Sequence, residues 1–202
     1  MRNCLVIGRT NVGKTIFCIN FAEFLGLQRM DVYFQLPDGT TRQRKFDLHS
    51  ARQELSGVEA HHTRSLQSIS LELPRGKGMR QFKLTDSTGL TDGIHPDLEM
   101  REAMAQTLQE LRHADCILHL VDACEVMKVG GVKNLGELDL QIAEVGGRKS
   151  GYLCLANKVD LPDGQRGFKL LEKEFKGLNL LPISALYRQG FREVKEHVWR
   201  LV

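Results

Sequence analysis

The 202-residue sequence lacks features that would assign it to several protein classes. No apolar run approaches the roughly 20 residues of a membrane-spanning helix, and the N-terminus has no signal-peptide pattern. None of the five cysteines lies in a Cys-x-x-Cys spacing, and several lie in apolar, strand-like runs, where reduced thiols behave as small hydrophobes. These absences predict a cytoplasmic protein without disulfides. The length suits one well-cored domain and is short for two.

One short stretch has a strong chemical signal. Gly8 to Thr15 reads G-R-T-N-V-G-K-T, after an apolar run and before a helical pattern. Glycines let the backbone turn its N–H groups toward a polyphosphate, and a helix N-terminus adds a favourable dipole. Lys14 can reach the β- and γ-phosphates, and the Thr15 hydroxyl can bind Mg²⁺. The sequence therefore predicts a phosphate-binding loop.

Strands and helices alternate along the chain, which predicts an α/β fold of three layers with helices on both faces of a mostly parallel sheet. We expect six strands, one of them antiparallel, because 67–73 and the strand ending at Asp86 form a hairpin. The expected strands lie near 2–8, 67–73, 116–121, 152–156 and 180–183, and one more ends at Asp86. The expected helices lie near 14–26, 100–111, 135–145, 165–176 and 191–201.

The region from 28 to 62 does not fit this alternation. Residues 32–46 resemble an inserted hairpin that turns at Pro37-Asp38-Gly39, and Asp47 to Leu55 resembles a short helix closed by Gly57. We therefore expect residues 1–202 to form a single domain with an insertion at about 28–62. Because the last helical pattern runs to Val202, no additional RNA-binding or membrane domain is expected.

Three further motifs follow predicted strands. Asp86-Ser87-Thr88-Gly89 can hold Mg²⁺ through its Asp and the γ-phosphate through its Gly amide. In Asn157-Lys158-Val159-Asp160, the Asp carboxylate can accept from guanine N1–H and the exocyclic amine, which adenine cannot match. Asn157 would brace the loop and the stem of Lys158 would cover the base. Ser184-Ala185 can offer a backbone amide to the guanine oxygen. Open α/β sheets bind ligands at this edge.

With these motifs in this order, the chain resembles the P-loop GTPases of the TRAFAC class, in their Era-like branch. The resemblance implies one GTP-binding domain that uses Mg²⁺ and changes shape when GTP is hydrolysed. It implies that Lys14, Thr63 and Gly89 are catalytic and that Thr15, Thr63 and Asp86 bind Mg²⁺. It also implies a nucleotide-dependent homodimer. The nucleotide-binding residues that it implies are Gly8, Asn11, Val12, Gly13, Lys14, Thr15, Ile16, Asn157, Lys158, Asp160, Ser184, Ala185 and Leu186.

The switch threonine has two candidates, since Thr63 and Thr41 each precede an arginine. We prefer Thr63, which stands directly before a strand, because Thr40-Thr41 fits the outgoing arm of a hairpin. Leu90 follows Gly89 where many relatives have a glutamine, so slow intrinsic hydrolysis is expected. His95 is a weak substitute. Asn11 stands where potassium-using relatives have an asparagine that binds K⁺, although an Asn there could also only brace the loop.

Net charge is +3, but residues 42–83 contain nine Lys or Arg against four Asp or Glu. This segment is either a solvated face or a surface for RNA or an acidic partner, and the resemblance implies the ribosome or RNA as that partner. Two alternatives to a GTPase switch stay open. One is a guanine-nucleotide-dependent scaffold with negligible turnover, and the other is a small nucleotide kinase, which leaves N-K-V-D unexplained.

Overall fold

A computed structural model describes residues 1–36, 39–56, 65–75 and 78–201. In these residues, strands and helices alternate as the sequence predicts. The strands are β1 (Arg2–Ile7), β2 (Arg29–Gln35), β3 (Thr41–Asp47), β4 (Leu66–Arg75), β5 (Gly78–Asp86), β6 (Cys116–Asp122), β7 (Tyr152–Asn157) and β8 (Leu180–Pro182). The α-helices are α1 (Lys14–Phe24), α2 (Leu48–Ser56), α3 (Leu98–His113), α4 (Ala123–Val129), α5 (Leu138–Gly147), α6 (Pro162–Glu174) and α7 (Phe191–Leu201).

The strands form one sheet in the order β3-β2-β4-β5-β1-β6-β7-β8. From β5 to β8 all neighbours are parallel, which confirms the mostly parallel α/β fold. The expectation of six strands with one antiparallel is wrong. The inserted hairpin β2–β3 extends the sheet, because β2 pairs with the edge of β4 through contacts such as Val32 opposite Ile69. Both β3 and β4 therefore run against the other strands.

The side chains of β1 alternate between two apolar cores, one on each face of the sheet. Cys4 and Val6 belong to the core covered by α1, α2 and α7, whereas Leu5 and Ile7 belong to the core covered by α3 to α6. The central strands β1, β6 and β7 are largely buried on both faces, as covered parallel sheets require. These two cores confirm the three-layer arrangement.

The region from 28 to 62 contains the predicted hairpin and helix. Asp47 ends β3 and caps α2, because its carboxylate accepts from the backbone N–H of His49 and Ser50, both at 2.9 Å. On α2, Ala51 and Leu55 are buried against the core that contains α1. The predicted turn at Pro37-Asp38 and the closing Gly57 lie outside the described residues. That this region is an insertion stays a prediction.

Residues at the N-terminal ends of two helices explain the remaining differences from the sequence prediction. Helix α4 was not predicted, although Asp122 caps it by accepting from Cys124 N at 2.9 Å and Glu125 N at 3.2 Å. The helix predicted at 165–176 begins earlier, at Pro162, because proline is favoured in the first helical turn. No helix in the described part of the chain has the length and apolar character to cross a membrane.

Candidate functional site

The predicted phosphate loop connects β1 to α1, and the side chain of Lys14 folds back onto the backbone of this loop. Lys14 is only 6% exposed, and its Nζ donates to the backbone oxygen of Arg9 at 2.6 Å. Burial lowers the pKa of Lys14 to about 8, although the charge of Asp86 opposes the shift. A polyphosphate could replace this carbonyl as the partner of the ammonium group, and its charge would offset the desolvation better.

Glycine is required at position 13 of this loop for two reasons. Its φ of 97° lies in the left-handed region, and a Cβ there would lie 2.6 Å from Asn157 Nδ2. The loop and the Asn157 side chain therefore pack directly against each other. This contact joins the predicted phosphate site to the predicted base site.

Thr15 and Asp86 meet at the mouth of the loop. The Thr15 hydroxyl donates to Asp86 Oδ2 at 2.6 Å, and burial raises the pKa of Asp86 to about 6 against the effects of Lys14 and Thr15. Three buried oxygens in this motif have no hydrogen-bond partner among the described residues, namely Asp86 Oδ1, Ser87 Oγ and Thr88 Oγ1. Buried polar atoms are rarely left unpaired, and a hydroxyl beside a carboxylate is a donor set that Mg²⁺ accepts. These residues therefore fit the predicted Mg²⁺ site.

Gly89 lies against the phosphate loop. A Cβ at Gly89 would be 2.6 Å from Thr10 Cγ2 and 2.8 Å from Thr10 Cα, so a side chain would force the two loops apart. The next residue, Leu90, donates its backbone N–H to Gly8 O at 3.2 Å and is 1% exposed. Its side chain packs in the core with Leu5 and Ile7. Leu90 therefore faces away from the phosphate loop.

Asn157 connects the phosphate loop to the loop after β8. Its Nδ2 donates to Val12 O at 2.8 Å, and its Oδ1 accepts from the backbone N–H of Ala185, also at 2.8 Å. The Ala185 amide, expected to bond the guanine oxygen, thus has a partner within the protein. A guanine oxygen would have to share this donor. The buried Ser184 orders the same loop, since its Oγ accepts from Tyr187 N at 3.2 Å.

Lys158 and Asp160 follow Asn157 at the same edge of the sheet. Lys158 has a left-handed φ of 71°, forms an ion pair with Asp122, and donates to the backbone oxygen of Asn11 at 3.4 Å. The Lys158 side chain therefore crosses the phosphate loop. The Asp160 carboxylate forms no hydrogen bond or ion pair with any residue that the structure describes, so its acceptors are free for a ligand.

The remaining predicted residues differ in their surroundings. Asn11 is exposed and left-handed at φ 61°, and Leu186 is 60% exposed. Ile16 packs partly buried against the core. Thr63 lies in 57–64, outside the described residues. Thr41 begins β3, four strands from β1 and thus roughly 19 Å away at ordinary strand spacing, which disfavours it as a magnesium ligand.

The sequence did not predict a buried polar network behind the phosphate loop. Arg9 Nε donates to Asp139 Oδ2 at 2.6 Å, and Arg9 Nη2 lies 2.6 Å from Asp92 Oδ2, in the loop after Gly89. His119 Nε2 lies 3.1 Å from Asp139 Oδ1, and its Nδ1 lies 2.9 Å from the Tyr152 hydroxyl. A histidine inside the apolar strand β6 was the available signal, because a buried imidazole needs partners.

Burial alone would raise the pKa of Asp139, but hydrogen bonds and charge from His119 and Arg9 outweigh burial and lower it. A carboxyl group with a lowered folded pKa stabilises the fold above its unfolded pKa of about 3.9 and loses this contribution as pH falls through the folded value. We expect Asp139→Asn to lower the free energy of unfolding at pH 7 by about 3 kcal/mol, since a buried charge loses its partner. Denaturant unfolding at pH 7 and below pH 4 measures both effects.

Glu144→Gln is the matched control for this substitution. Its exposed pair with Arg148, at 2.7 Å, contributes under about 0.5 kcal/mol. If the two variants are equally stable at pH 7, the network does not stabilise the fold. The variant Asp139→Asn should also lose less stability than the wild type below pH 4, because it lacks the titrating carboxylate.

Comparison with known proteins agrees with this geometry. The family described as 50S ribosome-binding GTPase matches residues 3–158. The tRNA modification GTPase MnmE of Aquifex aeolicus is 30% identical over 120 residues, 59% of this chain and 23% of that protein. GTPase Obg of Bacillus cereus is 25% identical over 126 residues, 61% of this chain and 29% of that protein. The chain thus spans about a quarter of the length of these relatives.

Solved structures show the same fold. A variant of Aquifex aeolicus Era bound to GDP and AlF4⁻ matches with a TM-score of 0.60 and 18% identity, over 100% of this chain and 57% of that chain. The cytosolic domain of FeoB from L. pneumophila matches with a TM-score of 0.60 and 19% identity, over 98% of this chain and 69% of that chain. Era bound to MgGDPNP and a segment of 16S ribosomal RNA matches with a TM-score of 0.60 and 16% identity, over 99% of this chain and 56% of that chain.

Proposed function

Since the chain belongs to the 50S ribosome-binding GTPase family, we propose that it binds GTP and GDP with Mg²⁺, hydrolyses GTP slowly and acts as a conformational switch. The observation that supports this most is the meeting of Thr15 with Asp86, at 2.6 Å, beside the unpaired Asp86 Oδ1. Thr15 and Asp86 would hold the Mg²⁺, which when bound would offset negative charge on the phosphate groups. The other groups that contact the nucleotide belong to the protein itself.

Lys14 binds the phosphates by exchanging its bond to Arg9 O for one to phosphate oxygen. Gly89 offers its backbone amide to the γ-phosphate. Its close approach to Thr10 links the phosphate loop to the loop after β5, which would move when GTP is hydrolysed. Thr63, from the segment before β4, completes the magnesium and γ-phosphate side. These roles make the chain a GTP-dependent switch, and single-turnover hydrolysis by the purified protein separates it from a scaffold with negligible turnover.

Asp160 selects guanine. Its carboxylate offers two acceptors to the base N1–H and exocyclic amine, while Asn157 fixes the neighbouring loop through Val12 and Ala185. A nucleotide kinase would have no use for this arrangement. Transfer of labelled phosphate to a nucleoside monophosphate would support the kinase instead.

Intrinsic hydrolysis should be slow, with a rate constant on the order of 10⁻⁴ to 10⁻³ s⁻¹, as for GTPases without an activating partner. Leu90 has no polar group and is buried, and His95 Nδ1 accepts from Asp97 N at 3.2 Å at the start of α3. We expect Leu90→Gln not to raise the rate, since the side chain at this position points into the core, and to reduce stability by burying an amide. Single-turnover phosphate release and thermal unfolding measure the two effects, and a tenfold faster rate would contradict this orientation.

A potassium effect stays a prediction from the sequence. The Asn11 side chain is exposed beside the phosphate loop, and its amide oxygen could bind K⁺ against the phosphates. We expect KCl to accelerate hydrolysis more than NaCl does, and Asn11→Ala to remove the difference while GDP binding stays nearly unchanged. Turnover measured in the two salts at matched ionic strength decides this. Equal rates would mean that Asn11 only braces the loop.

We also propose that the basic segment 42–83 binds ribosomal particles or RNA. The family description names the 50S ribosome, and one solved Era structure contains 16S ribosomal RNA. On β3, Arg42, Arg44 and Lys45 are exposed, although Arg44 pairs with Glu54 at 2.7 Å and Lys45 lies 3.9 Å from Asp31. Binding by this strand should weaken steeply as salt rises, because cations on the protein displace counterions from phosphates. Binding that is independent of salt would exclude this surface.

A further inference from the structure

The hairpin–helix unit, consisting of β2, β3 and α2, packs against the rest of the protein through the β2–β4 pairing and the buried Ala51 and Leu55, and one arginine adds a polar contact with α1. Arg52 projects from α2 toward α1. Its Nε donates to Asn20 Oδ1 at 3.0 Å, and its Nη2 forms an ion pair with Glu23. Asn20 and Glu23 both lie on α1, the helix that follows the phosphate loop. Arg52 therefore links the unit to that helix.

Asn20 connects Arg52 to the loop after β8. It is only 3% exposed, and its Nδ2 donates to the backbone oxygen of Ala185 at 2.8 Å. The backbone N–H of Ala185 donates to Asn157 Oδ1, also at 2.8 Å. The Ala185 peptide groups are thus held at the N–H by Asn157 and at the oxygen by Asn20.

Arg52 determines which end of the Asn20 amide faces the loop. A guanidinium group only donates hydrogen bonds, whereas a carboxamide donates from nitrogen and accepts at oxygen. Because Arg52 binds the oxygen, the nitrogen must point to Ala185 O. Without Arg52, the buried Asn20 oxygen loses its donor, and rotation of the amide would place two oxygens against each other. A buried acceptor without a partner is costly, so the loop loses order.

A second contact ties the same carboxylate to the loop. Glu23 also pairs with Arg188, which has a left-handed φ of 61° and lies three residues after Ala185. Arg52 and Arg188 therefore share Glu23 and draw α2, α1 and the loop together. This three-way contact depends on the hairpin–helix unit.

We propose that Arg52 is a positioning residue for the base-binding loop, and that the hairpin–helix unit slows nucleotide release through the path Arg52–Asn20–Ala185. The proposal rests on the guanine-nucleotide binding proposed above. A partner that moves α2 away from α1 would release the Ala185 oxygen and accelerate dissociation. The position of the hairpin–helix unit would then control the rate of nucleotide exchange.

Dissociation of a fluorescent GDP analogue tests the path. Loss of one buried hydrogen bond predicts release about five- to tenfold faster in Arg52→Ala than in the wild type. Glu54→Ala is the matched control, since it removes the exposed Arg44–Glu54 pair from α2 itself and should leave release unchanged. Asn20→Ala should be at least as fast as Arg52→Ala. The double variant should be no faster than Asn20→Ala, because the two residues act in series.

Arg52→Lys separates positioning from charge. A lysine keeps a positive charge beside Glu23 but cannot donate to Asn20 with the guanidinium geometry. Release should therefore stay fast in this variant. Release at the wild-type rate in Arg52→Lys would overturn the proposal in favour of simple charge, and equal rates in Arg52→Ala and Glu54→Ala would overturn it altogether.

Hydrogen exchange of the nucleotide-free protein gives a readout that needs no ligand. The Ala185 amide should exchange about five- to tenfold faster in Arg52→Ala than in Glu54→Ala, because loss of the hydrogen bond to Ala185 O also loosens the Ala185 N–H. If the wild type fails to bind guanine nucleotides, the proposed function is wrong, and this measurement still decides the positioning. Unchanged exchange at Ala185 would refute the path.

Discussion

Asp160→Asn should weaken GDP binding by roughly 10³-fold, since one hydrogen bond to the carboxylate is replaced by two opposed donors and the other loses its charged acceptor. The substitution replaces a carboxylate that has no partner among the described residues with an amide that donates at one end. Guanine presents two donors, and an amide nitrogen would oppose one of them. Xanthine presents an oxygen where guanine has its amine, so XDP should bind the variant better than GDP does. Titration of the wild type and the variant with fluorescent GDP and XDP analogues measures the affinity of each protein for each nucleotide.

Asp163→Asn is the matched control for this change. It removes a carboxylate three residues further along the chain, in an exposed pair 3.6 Å from Arg166. Its effect on GDP affinity should be less than twofold, because it lies in the first turn of α6 and outside the predicted base contacts. If both variants bind GDP equally, Asp160 does not read the base.

Lys14→Ala should abolish the rise in thermal midpoint that nucleotide produces in the wild type. The affinity for GDP and GTP should fall by on the order of 10²- to 10³-fold, because a buried, charge-assisted contact to phosphate disappears. Ligand stabilisation follows RT ln(1 + [L]/Kd), so a thousandfold weaker affinity removes about 4 kcal/mol at saturating nucleotide. Without nucleotide the variant should be about as stable as the wild type, because removing an ammonium group whose burial lowers its pKa to about 8 offsets the loss of its bond to Arg9 O.

Lys14→Met controls for the volume of the side chain. It keeps the apolar stem and removes the charge, so it should lose nucleotide as completely as Lys14→Ala does. Nearly normal binding by Lys14→Met would show that the stem, rather than the ammonium group, contributes to the site. Differential scanning fluorimetry with and without GDP compares both variants.

The parts of the fold that the sequence predicted depend on local signals. The run 4–7 is apolar, the glycines of the phosphate loop follow it, and α1 begins directly afterwards at Lys14. These neighbours in sequence are neighbours in space, so periodicity and turn chemistry suffice. The strand count failed because pairing of β2 with β4 joins residues far apart in sequence, such as Gln35 opposite Leu66. No local pattern distinguishes a hairpin that stands alone from one that extends a sheet.

The same limit applies to the site. The motifs at 8–15, 86–89 and 157–160 predicted which residues would meet, because strand ends of a parallel sheet share one edge. The partners of those residues could not be read in this way. Arg9 reaches Asp139, 130 positions later, and Asn20 reaches Ala185, 165 positions later. Such pairs depend on how the helices pack, which the spacing of polar residues does not encode.

Competition between nucleotides tests the central claim most directly. The wild type would be loaded with a fluorescent GDP analogue in Mg²⁺, and GTP, GDP, XDP and ATP would be added separately at equal concentration. The site at Asp160 predicts displacement by GTP and GDP at low concentration, and on the order of 10⁴-fold weaker displacement by ATP. Removal of Mg²⁺ should weaken the binding of GTP more than that of GDP, because only GTP has the γ-phosphate whose charge an ion held by Thr15 and Asp86 would offset. Displacement by ATP as effective as that by GDP would contradict a guanine-nucleotide site.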